Sequence, residues 1–127
     1  PELGKALAGA WYEVMKTMYG NDAKAKEART SMAKASGTDL AGYDAQLNAT
    51  KMFYSPEDAL SQVQDPNLKL TMQLVAEFSY QHGLLGDSAP GPDFVGVETP
   101  SGVYGDKNNI KLRFDPTFMQ LAADNKL

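Results

Sequence analysis

The sequence predicts a mainly helical fold with a small antiparallel β ribbon near its C-terminus. Apolar residues recur at helical spacing through the first two thirds of the chain. A loop rich in Pro and Gly at 88–92 then interrupts this pattern. Two short segments with strand character follow at 94–98 and 110–114, and a last helix comes after them. A chain of 127 residues is long enough for one hydrophobic core, so we predict a single domain over 1–127.

The first helix is predicted over residues 1–18, and its apolar positions share one face of the helix. They are Leu3, Leu7, Ala10, Trp11, Val14, Met15 and Met18. Gly20 follows the helix and can take the left-handed conformation that closes it. The chain opens inside this helix without an initiator Met. We therefore expect a processed or excised piece of a longer chain, or alternatively a small domain trimmed for expression.

Five further helices are predicted from capping residues and helix breakers. They cover about 22–35, 39–48, 56–64, 66–82 and 116–124. Thr38 is the expected N-cap of the third helix of the chain. Three helix starts combine a capping side chain with Pro, at 55–56, 65–66 and 115–116. The helix at 66–82 is apolar around much of its circumference, which predicts burial against more than one neighbour.

Composition excludes several classes of protein. The net charge is −4, which argues against binding to nucleic acid or to an anionic membrane surface. No apolar stretch approaches the length of a membrane span. Cysteine is absent, so disulfide scaffolds, thiolate metal sites and cysteine nucleophiles are excluded.

Motifs for catalysis or cofactor binding are missing from the sequence. There is no phosphate-binding loop, no dinucleotide fingerprint, no calcium loop and no nucleophile elbow. The one histidine, His82, lies beside Gly83 at the end of the helix at 66–82, where an imidazolium would complement the helix dipole. We predict that the chain is not an enzyme and holds neither a metal nor another cofactor.

Four residues are candidates for ligand binding. Trp11, Tyr12 and Glu13 place two aromatic rings next to a carboxylate, and Tyr54 directly precedes a capped helix start. Such residues can line a polar pocket or cover a ligand. The structural alternatives are core packing for Trp11, which lies on the apolar face, and pinning of the loop for Tyr54.

Several segments together resemble a known family. They are 1–7, 9–15, 32–40, 52–59, 82–86, 107–115 and 119–124. The sequence is similar to periplasmic solute-binding proteins of the taurine/nitrate/sulfonate ABC importer family, and within it to the urea-carboxylase-related branch. The resemblance covers essentially the whole chain but only the last third of such a receptor. It implies a C-terminal segment of a type II periplasmic binding protein-like α/β fold.

The resemblance implies a fragment or truncated relative of a receptor for a small nitrogen- or sulfur-containing solute. The intact protein would bind the solute in the periplasm and deliver it to the membrane subunits of the importer. The helices would then lack the sheet that they cover in the family, so we expect self-association as a homo-oligomer. A stand-alone helical interaction module without a transport role is the main alternative. A small enzyme with a site at a dimer interface, built from Tyr12, Glu13 or His82, is the third.

Overall fold

A computed structural model describes residues 2–127 and is mainly helical, as predicted. Within this range there are six helices and three strands. In chain order they are α1 (Glu2–Met18), α2 (Ala23–Ala35), α3 (Leu40–Ala49), α4 (Pro56–Gln64), α5 (Leu68–Gln81), β1 (Gly96–Thr99), β2 (Gly102–Tyr104), β3 (Ile110–Arg113) and α6 (Thr117–Ala123). The predicted helical state of residue 1 lies outside the described residues. No helix in residues 2–127 has the length and apolar character needed to cross a bilayer.

The contacts of the chain group it into two compact units. Unit 1 comprises the residues up to Ala59 together with Phe118–Leu127, and unit 2 comprises Leu60–Thr117. Unit 1 therefore holds α1, α2, α3, the start of α4 and most of α6, whereas unit 2 holds α5 and the sheet. The single domain over 1–127 stays a prediction.

Local caps set the helix boundaries in unit 1. Gly20 closes α1 with a φ of +89°, a conformation that favours glycine. Asp22 caps α2 by accepting a hydrogen bond from the Ala25 N–H at 2.7 Å. The N-cap of α3 is Asp39 rather than the predicted Thr38, because the Asp39 carboxylate accepts from the N–H three residues ahead at 2.8 Å.

The core of unit 1 is built from few and mostly small side chains. Met15 and Met18 of α1 are buried with Ala25 and Ala33 of α2, and α2 packs against both α1 and α3. Arg29 of α2 is buried with them, although its side chain is charged. Arg29 is only 6% exposed, because the spacing of four places it between two alanines that leave room for its side chain.

One of the three predicted cap-and-proline helix starts is confirmed, because α4 begins at Pro56, whereas α6 begins at Thr117, one residue after the predicted position. The Ser55 hydroxyl accepts from the Asp58 N–H at 3.1 Å at the start of α4. The Asp115 carboxylate accepts from the Thr117 N–H at 2.9 Å at the start of α6. At Asp65, by contrast, the chain first makes a turn, and α5 begins at Leu68 instead of residue 66.

The three strands form one mixed sheet in the order β2-β1-β3. β1 pairs antiparallel with β2 and parallel with β3. The predicted antiparallel ribbon is therefore wrong for the second pairing. A hairpin returns β2 along one edge of β1, and the chain then delivers β3 to the opposite edge. On that edge, a strand that reverses direction once more must run parallel to β1.

The crossing segment 105–109 lies tightly against the start of β1. The Asp106 N–H donates to the Asp93 carbonyl at 2.8 Å, and the Gly96 N–H donates to the Asn109 carbonyl at 2.9 Å. A Cβ atom at Gly96 would collide with the Asp106 carbonyl, so the close passage requires glycine there.

Helix α5 covers the sheet with one side only. Leu68 is buried, and α5 packs against β1 and β2. Leu70, Leu74 and Phe78 are more than half exposed. α5 thus contacts two strands, but the burial that its apolar circumference predicts is wrong for the exposed side. Gly83, with a φ of +70°, ends it as predicted.

Candidate ligand-binding groove

An open groove of about 850 Å³ lies in unit 1. Its walls come from one face of α1, from the loop and first turn of α4, and from the C-terminal segment. The lining residues are Gly9, Tyr12, Glu13, Lys16, Tyr19, Tyr54, Ser55, Pro56, Glu57, Asp58, Ala122, Asn125 and Leu127. All of them belong to unit 1. This volume lies within the range typical of small-molecule sites.

Three tyrosine rings line the groove. Tyr12 projects from α1, Tyr19 directly follows the last residue of α1, and Tyr54 comes from the loop before α4. The rings of Tyr19 and Tyr54 contact each other with centroids 5.1 Å apart and planes tilted by 48°. This tilted geometry is favourable for aromatic pairs and holds the loop before α4 against the end of α1.

The charged side chains of the groove are mainly acidic. Glu13, Glu57 and Asp58 contribute carboxylates, whereas Lys16 contributes the one ammonium group of the lining. Within residues 2–127, none of these four takes part in an ion pair. The groove thus carries an excess of negative charge that is not neutralised by a close partner.

The phenol of Tyr12 responds to this environment. Partial burial raises the pKa of Tyr12 above its ordinary value of 10.0, and the negative charge of Glu57 raises it further. Tyr12 therefore stays protonated at neutral pH and can donate a hydrogen bond into the groove. The effect of Glu57 also shows that its carboxylate lies near the phenol.

Three of the four predicted ligand residues meet in this groove, and the fourth does not. Tyr12, Glu13 and Tyr54 line it. Trp11 is absent from the lining and is 55% exposed, because a step of one residue turns its side chain about 100° around α1. The alternative of core packing is also wrong for Trp11.

The sequence analysis missed the remaining lining residues of α1, although a signal for them exists. Lys16 follows Tyr12 by four residues and Tyr19 follows Lys16 by three, which is the spacing of side chains on one side of a helix. Glu57 and Asp58 could be found from the position of their helix start beside Tyr54. Their place in the first turn of α4 is also favoured by the helix dipole.

His82 lies at the C-terminal end of α5, the position that the sequence predicts. Its Nδ1 atom lies 2.8 Å from the Phe78 carbonyl, and its ring stacks on Phe78 at a centroid distance of 3.9 Å. In the part of the chain that the structure describes, no group of three or more His, Asp or Glu side chains is placed to hold a metal ion.

Comparison with known proteins gives no relative for this chain. No protein-family model, no curated protein and no solved structure matches it. The similarity to solute-binding proteins stays a prediction based on the segments quoted above.

Proposed function

We propose that this chain contributes a binding site for a small organic cation and serves as the solute-binding part of an importer's receptor. The observation that carries the binding proposal is the groove itself. Three tyrosine rings and three carboxylates without ion-pair partners in residues 2–127 line the same cavity. The proposal narrows the expected nitrogen- or sulfur-containing solute to a nitrogen compound with a positive charge.

The chemistry of the lining favours an alkylammonium group over an anion. A cation over the face of a tyrosine gains about 0.5–1 kcal/mol at an exposed site. Glu13, Glu57 and Asp58 add Coulomb attraction in an open groove where each contributes modestly. An anion would meet three carboxylates and one ammonium group, so its binding would be opposed.

The receptor role rests on the resemblance of the sequence to the importer family. That resemblance implies a type II periplasmic binding protein-like fold, a periplasmic location and a partner in the importer's membrane subunits. The exposed apolar residues of α1 and α5 agree with helices shaped to cover a sheet from another part of such a receptor. Binding by this chain alone and a role in transport are separate parts of the proposal.

The binding proposal is tested by titrating the chain with probes that differ only in charge. Butylammonium, butanol and butyrate share an alkyl chain, and chemical shifts of the tyrosine rings report their binding. We expect butylammonium to bind about tenfold more tightly than butanol and butyrate to give no shift in the groove. Equal binding of butanol, or preferred binding of butyrate, would contradict the proposal.

A pair of substitutions locates the binding site. Glu13→Gln with Glu57→Gln removes two charges of the groove, and we expect about a fivefold to thirtyfold loss of butylammonium affinity. Glu27→Gln is the matched control, because Glu27 is an exposed carboxylate on α2 outside the groove. If the control loses as much affinity as the double variant, the attraction comes from the net charge alone.

The alternative, an oligomeric interaction module without a transport role, is favoured by one observation. The apolar residues in the first three turns of α1 are exposed along one face. In water such a face favours contact with another apolar surface. The self-association experiment in the Discussion tests this alternative independently of ligand binding.

A further inference from the structure

A second cavity of about 480 Å³ lies in unit 1 and shares Tyr19 and Tyr54 with the ligand-binding groove. Its lining is mainly polar and includes Asn21, Asn48 and the ion pair of Arg29 with Asp44. The cavity therefore adjoins the groove at these two tyrosines. Its chemistry differs from that of the groove, because its charged groups are paired with each other.

The guanidinium of Arg29 is buried, and two of its three nitrogens donate hydrogen bonds. Its Nε donates to Asp44 Oδ1 at 2.7 Å, and its Nη1 donates to the Met18 and Gly20 carbonyls at 2.8 and 2.7 Å. Among residues 2–127, Nη2 has no hydrogen-bond acceptor. No buried side-chain nitrogen or oxygen in this range lacks a partner, so Nη2 must reach open space. The cavity that Arg29 lines is that space.

Only one of the two carboxylate oxygens of Asp44 accepts a hydrogen bond from residues 2–127. Its Oδ1 atom accepts from Arg29, whereas no group of the described residues donates to Oδ2. Nη2 and Oδ2 thus belong to one ion pair, and both of its residues line the cavity. A ligand with an adjacent acceptor and donor can satisfy both atoms at once.

We propose that this cavity binds a primary carboxamide. The carbonyl oxygen of the amide would accept from Arg29 Nη2, and its NH₂ group would donate to Asp44 Oδ2. The side-chain amides of Asn21 and Asn48 line the cavity and can pair with either end of the same group. A carboxylate ligand fits less well, because Asp44 already neutralises Arg29 and would repel a second anion.

The test compares propionamide with propionate by NMR titration of the full chain. The Arg29 Nε–H and the Asn48 side-chain NH₂ groups report directly on the cavity. We expect propionamide to shift both signals with saturation and propionate to shift neither. Binding of propionate as tight as that of propionamide would overturn the proposal, and so would the absence of any shift with propionamide. Butylammonium binding in the groove can succeed or fail independently of this result.

A variant on the rim of the cavity tests the location without removing the buried arginine. Asn48 is exposed on α3, so Asn48→Leu should fold, and we expect about a fivefold loss of propionamide affinity from one lost hydrogen bond. Gln46→Leu is the matched control on the same helix outside the cavity. Equal affinities for these two variants would overturn the assignment to this cavity.

Discussion

The two ends of α1 carry the same apolar stripe, but the stripe is buried at the C-terminal end and exposed at the N-terminal end. At the C-terminal end, Met15 and Met18 are 4% and 2% exposed, whereas Leu3, Leu7 and Trp11 at the other end are 83%, 71% and 55% exposed. Apolar spacing predicts which face of a helix is apolar. It does not predict whether another element covers that face.

Packing by neighbouring elements explains the difference between the two ends. The last turn of α1 packs where Arg29 of α2 donates hydrogen bonds to the carbonyls of Met18 and Gly20. At the N-terminal end, the ring of Phe118 lies against Gly4, and this contact is possible because glycine has no Cβ atom. The hydrogen bonds of Arg29 thus form a polar clamp at the buried end of α1, whereas the first turns of α1 keep an exposed apolar face.

The largest expected effect concerns that clamp. Arg29→Ala leaves the Met18 and Gly20 carbonyls and the Asp44 carboxylate without their donor, so we expect the free energy of unfolding to fall by about 3 kcal/mol. Arg113→Ala is the matched control, because the Arg113–Glu98 pair is exposed and should contribute less than about 1 kcal/mol. Urea denaturation measures both variants. Equal losses would show that the clamp adds nothing to the buried end.

The next effect compares the two ends of the stripe directly. Met18→Ala removes a buried side chain, and we expect a loss of about 2 kcal/mol or more of unfolding free energy. Leu7→Ala should change the unfolding free energy by less than about 0.5 kcal/mol in dilute solution, because Leu7 is exposed. Thermal unfolding of both variants decides the comparison, and a costly Leu7→Ala would mean that the first turns are covered.

The exposed face of α1 should promote self-association. We expect sedimentation velocity to show a concentration-dependent oligomer, because covering an exposed apolar side chain contributes about 1.5 kcal/mol. Leu7→Lys should shift the equilibrium to monomer. Ala6→Lys adds the same charge to an exposed position beside the stripe and should not. A wild-type chain that remains monomeric at all concentrations would contradict the expectation.

Two glycines of α1 should respond in opposite directions to the same substitution. Gly4→Ala places a Cβ against the Phe118 ring, and we expect a net loss of about 1 kcal/mol of unfolding free energy. At Gly9 the nearest atom, Leu127 Cδ1, would be 3.8 Å away, so Gly9→Ala should stabilise the helix by about 0.5–1 kcal/mol. Calorimetric melting measures both, and stabilisation by Gly4→Ala would disprove the Phe118 contact.

The smallest expected effect is the pH dependence at the start of α6. Hydrogen bonds from the Thr117 side chain and N–H lower the pKa of Asp115 below its ordinary 3.8. The resulting stability is therefore present above that ordinary value and is lost as the pH falls through the lower folded-state pKa. We expect wild type to exceed Asp115→Asn by a few tenths of a kcal/mol near neutral pH. This difference should vanish in acid, and a constant difference would exclude the charge as its cause.

Local features of the sequence predicted much of the fold. Asp22, Ser55 and Gly83 act through residues three to five positions away, so their roles as caps can be found from spacing alone. The sequence predicts Tyr12 and Tyr54 as two separate candidates. It does not predict that they line the same groove, because α1 and the loop before α4 are far apart in the chain.

Contacts between distant segments were beyond the sequence pattern. The burial of Arg29 depends on the end of α1 and on Asp44 of α3, neither of which the pattern of α2 contains. The parallel pairing of β3 depends on its joining β1 and not β2, and alternation within the strand carries no information about that choice. The exposure of Trp11 likewise depends on whether another segment packs against it, which the pattern of α1 does not predict.

The ring pair of Tyr19 and Tyr54 has a consequence for the two cavities that share it. Both rings line both cavities, so a ligand that shifts one ring in its own cavity changes the shape of the other cavity as well. Thermodynamic linkage makes any such influence mutual: an amine that strengthens amide binding must itself be held more tightly when the amide is present. The two tyrosines are thus the place at which binding in one cavity would influence binding in the other.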